Sequence, residues 1–124
     1  MMTKDIFNNP GLQNQFRQEG YVIVPLLNAG EITHLAEIYS SQESNSQVHL
    51  PFYTSIWSDN VLYKESVDAA LKKILVAALE KYLLDCKPVF ANFMVKQTGD
   101  NSHLIPHQDW SFVDETKYDS VTVW

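Results

Sequence analysis

SVDAALKKILVAALEKYLLDCKPVFANFMVKQT, residues 66–98, changes its periodicity once, and that change decides the fold class. Up to Leu83 the apolar residues recur at helical spacing. Val67, Ala70, Leu71, Ile74, Leu75, Ala78, Leu79, Tyr82 and Leu83 form one broad stripe. The pattern predicts a helix from about Val67 to Leu84, with Ser66 as N-cap and Pro88 forbidding continuation. Beyond Pro88, VFANFMVKQT (89–98) is a strand candidate. GDN (99–101) has turn chemistry, and SVTVW (120–124) is a second strand candidate.

Upstream, residues 11–19 predict a short helix ended by Gly20. YVIVPLL (21–27) is a β-branched run that predicts a strand stopped by Pro25. NAGEITHLAEIYSSQ (28–42) spaces Ile32, Leu35, Ala36 and Ile38 helically, with acidic residues early, as the helix dipole prefers. From Ser40 to Asn60 the chain turns polar, which predicts a long loop with aromatic anchors. Helices come mostly first and strands later, so the expected class is α+β rather than alternating βαβ. The length of 124 residues suits one small domain, 1–124, with a modest core.

A net charge of −6, a pI near 5.0 and a single arginine, Arg17, exclude nucleic acid and anionic membrane surfaces as partners. Both need clustered cations. Cys86 is the only cysteine, so no intrachain disulfide and no thiolate metal cage can form. A buried structural thiol is expected there, over a reactive one tuned by Lys87. The first residues lack a signal-peptide core, and no stretch approaches the roughly 20 apolar residues that span a bilayer. The expected compartment is the cytoplasm.

HLIPHQDW (103–110) carries the chemistry. In an extended segment His107 and Asp109 point to one side while Gln108 faces away, so an imidazole and a carboxylate can converge on one ion. With a second histidine they would make the facial triad of non-haem Fe(II) oxygenases. Spacing alone is unspecific, since this composition yields roughly half a His-x-Asp/Glu match by chance. Pro106 and the Gly99–Asn101 turn place His103 in a loop, His34 falls on a helix's solvent face, and His49 lies in the polar loop. None of these is a strong third ligand. There is no glycine-rich phosphate loop. Ser102, His103 and Asp109 lack the nucleophile elbow of a hydrolase.

Read as a whole, ANFMVKQTGDNSHLIPHQDWSFVDETKYDSVTVW (91–124) resembles the phytanoyl-CoA dioxygenase family of Fe(II)/2-oxoglutarate oxygenases. In that family a strand with a basic residue leads through a variable loop to a HxD ligand pair. A strand rich in Val, Thr and Trp follows. FRQEGYVIVPLLNAGEITHLAEIY (16–39) is similar to the family's opening, and the resemblance covers nearly all of residues 12–124. It implies a double-stranded β-helix (a jelly-roll, cupin-like barrel) with flanking helices, and Fe(II) and 2-oxoglutarate as cofactors. It also implies O2 and a small organic or acyl molecule as substrates. His107 and Asp109 would be metal ligands, Lys96 would contact 2-oxoglutarate or substrate, and Trp124 would face the cofactor pocket.

The departure from the family lies downstream. After Asp109 there is no histidine and no arginine, so the third ligand and the guanidinium that holds the far carboxylate of 2-oxoglutarate are missing. The chain also stops within a β-type run, and reads as the N-terminal portion of such a domain. The isolated chain is therefore expected to be inactive, and a non-catalytic fragment or interaction module is the alternative. Unpaired edges near Val121–Trp124 predict that it dimerises or aggregates. Light scattering and sedimentation check this, and a monodisperse, cooperatively melting monomer would overturn it.

Overall fold

The computed structural model describes residues 4–41, 50–109 and 111–124. Within these residues three helices and one small sheet carry the architecture: α1 (Pro10–Glu19), α2 (Ala29–Ser41), β1 (Phe52–Thr54), α3 (Val61–Leu79) and β2 (Met94–Lys96). A 3-10 turn at Ser55–Trp57 joins β1 to α3, and another at Asp100–Ser102 follows β2. The mixture of helix with an antiparallel sheet is α+β, as expected.

Capping chemistry sets the helix limits. Asn9 accepts from the amides of Gly11 and Leu12 at 2.8 and 3.2 Å, Pro10 occupies the first turn, and Gly20 closes α1 at φ 79°. At α2, Asn28 Oδ1 accepts from the Glu31 amide while the Glu31 carboxylate accepts from the Asn28 amide, at 2.9 and 2.8 Å. This is a reciprocal capping box.

α3 differs from its prediction at both ends. It begins at Val61, where Asn60 Oδ1 accepts from the Tyr63 amide at 3.1 Å, so Ser66 lies inside the helix and caps nothing. It ends at Leu79 because the next residues are engaged elsewhere. The Tyr82 carbonyl accepts from Asn8, the Leu84 amide donates to Ile6, and Phe7 bridges Leu83. The two last members of the apolar stripe thus serve the N-terminal segment rather than another helical turn.

The core forms where the stripe meets its neighbours. Tyr63, Val67 and Leu71 are buried, with Leu35 of α2, Leu75, Ala91 and Phe93 packed around them. Burying side chains of this size contributes about 1.5–3 kcal/mol each. Asp68, on the same helix, accepts from the Ala91 amide at 2.7 Å and pairs with Lys72 at 2.8 Å. Lys72 in turn donates to the Val89 carbonyl at 3.0 Å. A second cluster closes the N-terminal end. Gln13 Oε1 accepts from both the Ile6 and Phe7 amides at 2.8 and 3.0 Å, and the Phe7 ring lies 5.4 Å from that of Phe16.

Several strand predictions need correction. β2 keeps only three residues of 89–98, and its partner, β1, arises from the segment predicted as loop. Phe52 pairs with Lys96, Tyr53 with Val95 and Thr54 with Met94. The buried Tyr53 anchors that pairing, its hydroxyl meeting that of Tyr63 at 3.3 Å. Residues 21–27 show the expected period of two, with Val22, Val24 and Leu26 half-buried between exposed Tyr21, Ile23 and Pro25. They find no partner strand among the described residues, so they are not a strand; Tyr82 Oη pins the run by donating to the Pro25 carbonyl at 3.1 Å. Residues 120–124 also carry no strand, and the described residues hold one two-stranded sheet. Cys86 is exposed rather than buried, because α3 ends before reaching it. Among the described residues no helix is long and apolar enough to cross a membrane.

The two ends of α3 yield a paired prediction. Asn60→Ala removes the cap and costs about 1 kcal/mol, whereas Ser66→Ala stays within about 0.5 kcal/mol of the parent. Urea unfolding measures both; a larger loss at Ser66 would reject the observed start of the helix.

Candidate metal centre

β2 and the turn at Asp100–Ser102 deliver the chain to His103, whose φ of −75° and ψ of 134° begin an irregular run through residue 109. Proline permits this run and no helix: Pro106 fixes its own φ and pushes Ile105 away from helical angles. Trp110, the last residue of HLIPHQDW, and His49 both lie outside the described residues.

His107 and Asp109 converge as the i, i+2 spacing predicts. His107 Nε2 lies 3.3 Å from Asp109 Oδ1, and both side chains are a little under half exposed. The other ring nitrogen, Nδ1, lies 2.9 Å from the Ile105 carbonyl oxygen. A carbonyl can only accept, so Nδ1 carries a hydrogen there, and the lone pair of the neutral ring sits on Nε2. That lone pair faces a carboxylate oxygen, which also only accepts. The two acceptors are satisfied by a hydrogen on Nε2 or by a cation held between them.

The separation fits one ion. Bonds of about 2.1 Å to nitrogen and oxygen, at angles between octahedral and tetrahedral, place neighbouring ligand atoms about 3.0–3.4 Å apart. The Ile105 carbonyl is the outer partner that fixes the ring's tautomer and orientation, a role usual beside ligating histidines. The sequence contained the signal for it, since Pro106 forces the backbone at Ile105 out of helix, but the histidine's own spacing does not reveal it.

The remaining candidates stay apart from this pair. Lys96 is exposed on β2, and Trp124 is 77% exposed; neither forms a hydrogen bond or ion pair with His107 or Asp109. His34 sits on the solvent face of α2, 3.5 Å from Glu37. Arg17 is held at the surface by Asp5 at 2.6 Å. Among the described residues no group of three or more His, Cys, Asp or Glu side chains is arranged to hold a metal. The arrangement is therefore one imidazole–carboxylate pair, with no third such side chain beside it among the described residues.

Compared with protein-family models, curated proteins and solved structures, the chain matches none.

Downstream of the pair, Asp114 organises a tight turn. Its carboxylate accepts from the Thr116 hydroxyl at 2.6 Å and the Thr116 amide at 3.1 Å, and pairs with Lys117 at 2.9 Å. The Thr116 hydroxyl first, then Lys117 and the Thr116 amide, hold this exposed carboxyl below the usual range. A lowered carboxyl contributes its support above the ordinary carboxylate range and loses it as pH falls through the lowered value. The turn is accordingly intact at neutral pH and opens in acid, once pH has fallen below the ordinary carboxylate range. Thr116 and Lys117 amide shifts followed by NMR report this, and shifts unchanged into strong acid would refute the capping role.

Proposed function

We propose that His107 and Asp109 are two of the three protein ligands of an Fe(II) centre in a 2-oxoglutarate-dependent dioxygenase of the phytanoyl-CoA type, acting on a small organic or acyl substrate. The observation that carries this reading is the 3.3 Å approach of His107 Nε2 to Asp109 Oδ1, with Nδ1 tied to the Ile105 carbonyl. The order of segments in the sequence supports it. In this reading α1, α2 and α3 form the helical front of a double-stranded β-helix, and the β1–β2 pair belongs to its first strands.

When bound, the iron supplies oxygen activation coupled to decarboxylation of 2-oxoglutarate and hydroxylation of an unactivated C–H bond. The chain's own residues hold and orient. Nε2 and Oδ1 would hold the iron between them, and the Ile105 carbonyl keeps the imidazole lone pair aimed. Lys96 offers a point charge for a carboxylate, and Trp124 an aromatic wall. A histidine and an arginine must complete the centre, and residues 110–124 contain neither. A guanidinium holds a carboxylate through two parallel hydrogen bonds, which the ammonium of Lys96 does not match.

A second reading, a non-catalytic interaction module, is favoured by one observation. Ile105, Phe112, Tyr118, Val123 and Trp124 are all exposed, along a stretch after Ser102 whose described residues form no regular helix or strand.

Anaerobic calorimetric titration of the chain with Fe(II) tests the metal edge. His107→Ala and Asp109→Ala should each weaken binding about tenfold or more, and equal binding by the parent and both variants would sink the proposal. The same chain should form no succinate from 2-oxoglutarate above a His107→Ala/Asp109→Ala control; turnover above it would mean that the missing ligand and carboxylate anchor are already present. At the level of the gene, a frame continuing past Trp124 with a histidine and then an arginine supports the enzyme. A stop codon there supports the interaction module.

A further inference from the structure

A cleft of about 190 Å3 opens on the side of the molecule where the Ser55–Trp57 turn, the first turns of α3 and residues 90–92 meet. Its walls are mainly apolar, from Ile56, Phe90 and Ala91, and three charged side chains of α3, Lys64, Glu65 and Asp68, border it. The three charges differ in what they can still do. Asp68 is saturated, with one carboxylate oxygen on the Ala91 amide and the other on Lys72. Glu65 is exposed to solvent, which screens it. Lys64 is half-buried and forms no ion pair or side-chain hydrogen bond among the described residues. It also lies at the N-terminal end of a 19-residue helix, where the dipole already favours negative charge.

An ammonium with no ion pair among the described residues, beside an apolar hollow, defines an amphipathic ligand. We propose that this cleft binds a small monocarboxylate with a compact apolar body, its carboxylate on Lys64 and its body against Ile56 and Phe90. The volume is below the roughly 300–1,000 Å3 of sites for drug-sized molecules, so the ligand is a fragment such as an arylacetate or a branched short-chain acid. The Phe90 ring stands T-shaped on Phe112, centroids 4.7 Å apart, so the wall is braced by a residue three positions beyond Asp109. The site stands on its own geometry and does not require iron at His107.

The probe is phenylacetate, with neutral phenylacetamide and cationic benzylamine as comparisons, added to the metal-free chain and followed by amide shifts in two-dimensional NMR. Phenylacetate should shift Ala91 and Asn92 with a Kd on the order of 1 mM, and bind at least fivefold more tightly than either comparison. Lys64→Gln should remove the preference for the carboxylate while leaving the rest of the spectrum in place. Ile56→Ala, at a position 41% exposed and so removable without unfolding, should weaken all apolar probes together. Equal binding of the amide, stronger binding of benzylamine, indifference to Lys64→Gln, or shifts confined to residues away from the cleft would each overturn the proposal.

Discussion

The structure depends on α3 burying one stripe while its flanking polar residues hold the chain that returns across it. Val67 and Leu71 supply the apolar contact, and Asp68, one position along the helix, captures the Ala91 amide as that segment passes. Side-chain packing alone is non-directional and would let residues 89–93 slide. The carboxylate fixes their register. Phe93 is thereby set so that its amide donates to the Ser55 hydroxyl and its carbonyl accepts from the Ser55 amide, next to the β1–β2 pairing, while its ring meets that of Tyr39 on α2. One helix face therefore positions the second helix, the sheet and the start of the segment that leads to His107.

Local chemistry was legible in the sequence, and partnership was not. Gly20, Asn9 and the Asn28/Glu31 pair act within a few residues, so α1 and α2 fall close to where spacing put them. The start of α3 was misplaced because two polar residues could cap it, and only the backbone shows that Asn60 does. The strands were misread for a different reason. A period of two at residues 21–27 is present in the burial pattern, but a strand also needs a neighbour, and no local signal supplies one. Phe52–Thr54 gained its pairing from a segment some forty residues away, inside a stretch whose polar composition hid it.

The His107–Asp109 pair divides in the same way. Convergence of His107 and Asp109 is a property of a three-residue stretch in non-helical backbone, and it is visible from spacing. A third side chain able to bind metal is a long-range property, and none joins the pair among the described residues. Lys96 and Trp124 take their roles from resemblance alone, and both side chains are exposed to solvent. The cleft below Lys64 had no signature in sequence at all, since its walls come from three separated segments.

The link between Gln13, the Phe7 region and the end of α3 also has a consequence for biosynthesis. Residues 4–8 are held by partners 73 to 81 positions later, through Asn8 to the Lys81 carbonyl and Lys4 to Asp85. On a ribosome adding about 5–20 residues per second, the leading segment waits roughly 4–16 s before its partners exist. Until then Phe7 lacks its bridge to Leu83. Residues 4–8 are thus made well before the partners that settle them, and in that interval their uncovered apolar surface is a target for chaperones.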